Sequence, residues 1–351
     1  MKKLSIFAFV FCSGLLFAQQ KEKAAEYIKE GIYYHDEGQY DRALAMYDKA
    51  LELDRENSGA FYEKAFTLYV LRRYDESIDY SKKAIKAGKN DKEALKYAYL
   101  VYGNTLDETG KPKEALSAYN KGLKINPDDF LLHFNKGITL SRLQRHDEAL
   151  ASLWKAVTLN PNHPGSHSAI SEIEMIRGNK IPAAMALARF LTLESQGARA
   201  EENSRRLKMI VDGWVVVKKD GNMNITVNVS PQTFGKKKKN NDFSTLDVIL
   251  PIAIAGEALK EKYENDIDQF NGRFSMMCSM LNVELDDKSG FYWKYYAPYF
   301  AEMSKNELTS TFSRIAFLST GEDSVVEWVN ANKERVYDFF RWSQDFHWSD
   351  K

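Results

Sequence analysis

Residues 31–54 read GIYYHDEGQYDRALAMYDKALELD, and the spacing inside that stretch decides the fold. Gly31, Tyr34, Gly38, Tyr40, Ala43, Tyr47 and Ala50 alternate small and large side chains. The offsets return at Gly103, Leu106, Gly110, Pro112, Ala115, Tyr119 and Gly122. They return again, 34 residues on, at Gly137, Leu140, Gln144, His146, Ala149, Leu153 and Ala156. The small residues let two helices approach closely, and the large ones fill the gap to the next pair. One such pair cannot bury its apolar face alone, so neighbours must stack and share a continuous core. Asn126-Pro127 and Asn160-Pro161 end second helices, because a residue before proline is pushed out of the α region.

This pattern resembles the tetratricopeptide-repeat (TPR) family, whose period is 34 residues. It gives units at 24–57, 58–91, 96–129 and 130–163, with a degenerate fifth at 164–197. Lys92 to Leu95 are a four-residue insertion that lengthens the first helix of the third unit. Ser77 and Ser81 depart from the pattern in the second. Glu174 takes an apolar position in the fifth, which reads as a solvated cap.

The expected fold is therefore mostly α, a solenoid of about five helix pairs followed by a mostly helical domain at 198–351 with a small β-hairpin. Trp214 to Lys218 and Asn224 to Val229 read as its two strands around Asp220-Gly221. Ile267, Phe270, Phe274, Met277 and Leu281 fall on one helical face, with Cys278 at its border. Val325, Trp328, Val329, Val336, Phe339 and Phe340 mark another amphipathic helix. Phe291 to Phe300 (FYWKYYAPYF) are read as core in preference to a stacking surface for sugar, membrane or partner.

The resemblance implies that first-helix residues line an inner groove. At those positions stand Ile28, Ile32 and His35, then Tyr62, Phe66 and Tyr69, then Tyr97, Asn104 and Asp107, then Phe134 and Ile138. A groove so rich in aromatics suits an extended or helical peptide with apolar anchors. Some relatives hold a chaperone's C-terminal carboxylate with Lys, Asn and Arg. Here the corresponding positions carry Ile28, Ile32, Glu63, Tyr97 and Val101, so that clamp is absent.

Lys2 and Lys3, an apolar run from Leu4 to Phe17 and Ala18 before Gln19-Gln20 form the pattern of a signal peptide over 1–18. The expectation is an exported protein of the periplasm or cell envelope, or a secreted one. Phe9-Val10-Phe11 before Cys12 do not match a lipid-attachment site. Removal of the leader leaves Cys278 as the sole cysteine, with no disulfide.

The 49 basic and 49 acidic residues balance, which argues against nucleic acid as a partner. A composition of 44% apolar and 28% charged residues suits a folded chain. Lys236, Lys237, Lys238 and Lys239 form the one basic run, read as a solvated loop that could touch acidic lipid peripherally. His163 and His167 lie four apart across Pro164-Gly165, unlike a zinc pair on one helix, and read as a turn residue and a packing residue. No nucleophile elbow, phosphate loop or dinucleotide fingerprint occurs, so no catalytic residue, metal or cofactor is assigned.

The expected function is a non-enzymatic scaffold that holds another protein or peptide in the bacterial envelope. Two alternatives stand beside it: an enzyme or carbohydrate-type ligand binder with its site in the C-terminal domain, and an oligomer subunit whose groove is filled by its own chain.

Overall fold

The computed structural model describes residues 2–89, 91–220, 222–228, 240–258, 263–282 and 288–348, with side chains from residue 18 onward except at 217–225 and 258. The lysine run at 236–239, the turn residue Gly221 and Val229 lie outside the described residues. The chain parts into two compact units, 1–152 and 153–351.

The first unit is a series of antiparallel helix pairs: α1 (Lys2–Asp36) with α2 (Tyr40–Leu53), α3 (Ser58–Val70) with α4 (Tyr74–Ala87), and α5 (Lys92–Glu108) with α6 (Pro112–Ile125). Then come α7 (Phe130–Arg142) and α8 (His146–Leu159), and the division between units falls inside α8. The insertion makes α5 17 residues long, against 13 for α3 and α7.

Each pair turns by one device. Gly38, Arg72, Gly110, Gln144 and, in the second unit, Gly178 take positive φ at the same point of the period. The next residue's N–H donates back across the turn, as from Gln39 to Tyr34 and from Arg145 to Leu140. That six-to-one bond satisfies a carbonyl that the helix end leaves open.

Close approach explains the glycines inside the helices. A Cβ on Gly31 would lie 2.4 Å from Tyr47 Cε1, and one on Gly103 2.3 Å from Tyr119 Cε1. Second helices end at Asp54 and Asn126, and the next first helices start from side-chain caps. Asn57 Oδ1 accepts from the Ala60 N–H at 2.9 Å, and Asp129 Oδ1 from the Leu132 N–H at 2.8 Å.

The second unit continues with α9 (Pro164–Ile176), α10 (Lys180–Leu193) and α11 (Ala198–Asp212). An antiparallel hairpin follows, β1 (Val215–Asp220) with β2 (Asn222–Val227), Val215 opposite Val227. Six helices complete the unit: α12 (Ser244–Ala258), α13 (Asp266–Met280), α14 (Phe291–Lys305), α15 (Thr309–Ala316), α16 (Asp323–Ala331) and α17 (Lys333–Asp345). A 3-10 turn at Leu318–Thr320 precedes α16. The helix expected from Val325 to Phe340 is thus two, parted at Asn332, where φ is −119° and ψ 37°.

Helix α10 is buried from Ile181 through Thr192 and forms the centre of this unit. The aromatics of α14 are core, each phenol finding a partner. Tyr292 donates to Glu174 Oε1 at 2.6 Å and Tyr295 to the Val157 carbonyl at 2.8 Å. Tyr296 meets His167 Nδ1 at 2.6 Å, and Tyr299 meets Ser343 Oγ at 2.8 Å.

These bonds correct the reading of the fifth repeat. Glu174 is 2% exposed and anchors α14; it is no part of a solvated cap. They also bind α9 and the end of α8 into the second unit, so the compact division falls at 152/153 and not at the expected 197/198. Among the described residues, no helix is long and apolar enough to cross a membrane.

Candidate functional site

The eleven inner-face residues all lie in the first unit, on its first helices α1, α3, α5 and α7. Ten are half-buried, and Asp107 is buried. Four of them form a continuous run of rings across three repeats. His35 stacks on Phe66 at 4.9 Å between centroids, Phe66 on Tyr62 at 6.4 Å, and Tyr62 meets Tyr97 at 5.3 Å.

The others are used differently. Ile28 packs on the cluster of Ala24, Ala50 and Ala60. Tyr69 turns toward Tyr74 at the start of α4, 6.1 Å away. Asn104 accepts from the Tyr119 hydroxyl at 2.9 Å. Asp107 accepts from Thr139 Oγ1 at 2.7 Å and pairs with Arg142, which fastens α5 to α7. His35 Nδ1 lies 2.7 Å from Thr67 Oγ1, the same link two pairs earlier. Ile32, Phe134 and Ile138 are half-buried on the same face.

The electrostatics of this face turn on Glu63, a residue that the spacing of the repeat does not single out. Burial first, and the neighbouring Asp36 charge second, push its carboxyl up to about 7. It makes no ion pair or hydrogen bond with a described residue. Burial, with the Glu63 charge behind it, raises the phenols of Tyr62 and Tyr47. Burial lowers His35. A carboxyl group thus sits beside an aromatic wall.

The groups singled out elsewhere are packing groups. His163 precedes α9 and meets Ser166 Oγ at 2.8 Å. His167 is wholly buried, with one ring nitrogen on Tyr296 and the other 2.9 Å from the Pro161 carbonyl oxygen. Burial and the Arg189 charge push it down to about 3. Cys278 is buried, and burial raises its thiol. Among the described residues, no three His, Cys, Asp or Glu side chains are placed to hold a metal.

Tetratricopeptide repeat family models match residues 34–99, 97–129 and 118–151. Residues 34–151 are tetratricopeptide repeats. The TPR repeat-containing protein MJ1428 of Methanocaldococcus jannaschii is 27% identical over 181 residues, 42% of this chain and 32% of that protein. The small glutamine-rich TPR-containing protein 2 of Mycosarcoma maydis is 31% identical over 122 residues, 35% of this chain and 33% of that protein. The chain thus spans about a third of the length of these curated relatives.

Among solved structures, Pseudomonas aeruginosa PilF superposes with a TM-score of 0.50 at 20% identity, covering 55% of this chain and 86% of that one. That likeness is one of fold.

Proposed function

We propose that the chain is an exported, non-enzymatic scaffold of the bacterial cell envelope, and that its first unit holds a partner segment along the inner face of α1, α3 and α5. The observation that carries this reading is the half-buried ring run His35–Phe66–Tyr62–Tyr97. Aromatic faces offer large contact area with few rotatable bonds to order, which suits peptide capture.

The charge on the same face narrows the partner. Asp36, Glu63 and Glu108 lie along it without ion-pair partners among the described residues. The favoured partner segment is apolar with a basic residue opposite Glu63, where carboxylate and ring faces both favour a cation.

The test is capture from envelope extract by the chain from residue 19 onward, beside Tyr62→Ala/Tyr97→Ala and Glu63→Lys. The expected result is a specific polypeptide retained by the native form, lost in the ring variant and weakened by Glu63→Lys, with the helical far-ultraviolet signal unchanged in all. Equal retention by the ring variant overturns the proposed surface.

A further inference from the structure

Glu63 follows Tyr62 on α3 and lies one turn before Phe66, inside the ring run of the inner face. The residue is half-buried, and neither carboxyl oxygen is shut off from solvent. A ligand can therefore reach it. Among the described residues no cation or hydrogen-bond donor meets it.

The elements packed on α3 each present a different group. From α1 come the Asp36 charge and the His35 ring, which meets Thr67 Oγ1 at 2.7 Å. Helix α2 brings the buried phenol of Tyr47. Helix α5 brings Tyr97, whose neighbour Lys96 is held by Glu93 at 3.1 Å and Asp129 at 3.3 Å. Helix α4 brings Tyr80, which lies under Lys64, itself paired with Asp48. Asp36 is thus the one charge acting on Glu63 among the described residues, and it repels. A carboxyl with a second acid beside it, partial burial and no cation gives up its proton late.

We propose that the inner face is gated by pH, holding a segment of fixed positive charge while Glu63 is ionised and releasing it when Glu63 takes up a proton. The gate rests on the reading of that face as the partner surface, and adds a condition for release. Binding at low pH must expel the Glu63 proton, so each pH unit below its midpoint near 7 lowers affinity by up to about tenfold. His35 is the rival source of such a loss, because its protonation adds a positive charge to the face. Burial holds it below its ordinary 6.5, so Glu63 titrates first on acidification.

The test offers the full chain blocked octapeptides of random sequence drawn from alanine, serine, leucine, phenylalanine and tyrosine, with arginine fixed at the centre. A second mixture carries citrulline, the uncharged counterpart of arginine, and neither mixture titrates between pH 5.5 and 8. Retention of arginine peptides should be at least about fivefold greater at pH 8 than at pH 5.5, and that of citrulline peptides should change less than about twofold. Glu63→Gln should remove the pH step and most of the preference for arginine. Asp36→Asn should move the step to lower pH, with the helical far-ultraviolet signal kept in every variant.

Equal retention of arginine peptides at both pH values would overturn the gate. So would a step that survives in Glu63→Gln, and its loss in His35→Gln would then name the histidine as the cause. Tyr62→Ala/Tyr97→Ala tells these failures from failure of the surface itself. If that variant loses retention, the surface stands and only the gate falls. Unchanged retention by it, or no retention of either mixture by the native chain, removes both.

Discussion

Replacing Glu63 by Gln tests the electrostatics of the proposed face most directly. In the folded chain this carboxyl titrates at about 7, against an ordinary value of 4.5. Between those two pH values the folded state holds a proton that the unfolded chain has released. By linkage, stability then falls as pH rises from 4.5 to about 7 and levels off above. At about 1.4 kcal/mol per pH unit the whole span amounts to about 3 kcal/mol, and water at the open side of a half-buried residue reduces this to about 1–2 kcal/mol.

Gln reproduces the shape of the protonated acid without the titration. The variant should therefore match the native chain near pH 5 and exceed it by about 1–2 kcal/mol at pH 8. Probes can separate the units: all six tryptophans lie at or beyond Trp154, so their emission reports the second unit alone. Urea unfolding followed by far-ultraviolet ellipticity should show the gain, and tryptophan emission should not. A carboxyl NMR titration should place the Glu63 midpoint near 7 and move it down in Asp36→Asn. A midpoint near 4.5, or the same Gln advantage at both pH values, would refute the reasoning.

His167 should act with the opposite sign in the second unit. Its folded value near 3 lies below the ordinary 6.5, so its contribution is complete above pH 6.5 and is lost as pH falls toward 3, by at most about 1.4 kcal/mol per unit. His167→Gln should lower the tryptophan-monitored urea midpoint at pH 7.5 yet flatten its decline to pH 4.5; an unchanged decline would dismiss the residue as the cause. Gly103→Ala should destabilise the first unit by about 1–2 kcal/mol, the overpacking against Tyr119 outweighing the gain in helix propensity. Tyr119→Leu in the same chain should restore most of the urea midpoint, and a stabilising Gly103→Ala would show that Tyr119 can give way.

The repeats were legible because their packing is periodic. Gly31 under Tyr47 and Gly103 under Tyr119 are one contact made twice, so the spacing of residue types carries it. The face of α13 was legible for the same reason, with Ile267, Phe270, Phe274 and Met277 buried at helical spacing. The break at Asn332 was not, since the apolar spacing runs through it unbroken. The partners of Glu174 and His167 were out of reach, because Tyr292 and Tyr296 stand 118 and 129 residues away. Sequence alone made Glu174 a misfit; only the phenol of α14 explains it. Of the site, sequence supplies which residues share the face, but the burial that perturbs Glu63 is set by neighbouring helices and leaves no mark in spacing.

Polar residues on the first helices divide into two kinds, and the division bears on function. His35 meets Thr67 and Asp107 meets Thr139, both at 2.7 Å, each tying one first helix to the next. Asn104 is likewise held by Tyr119. These groups are structural ties, and removing them should loosen the stack before it alters any binding. Glu63 has no such tie, though it is largely withdrawn from water. Polar capacity left unmet destabilises the free chain, and a partner that meets it recovers that loss on binding. The carboxyl of Glu63 asks for a cation beside aromatic rings. Above pH 7, Glu63→Gln should therefore weaken a cationic ligand and leave a neutral one of the same shape unaffected; equal loss of both would mean that the carboxylate takes no part in recognition.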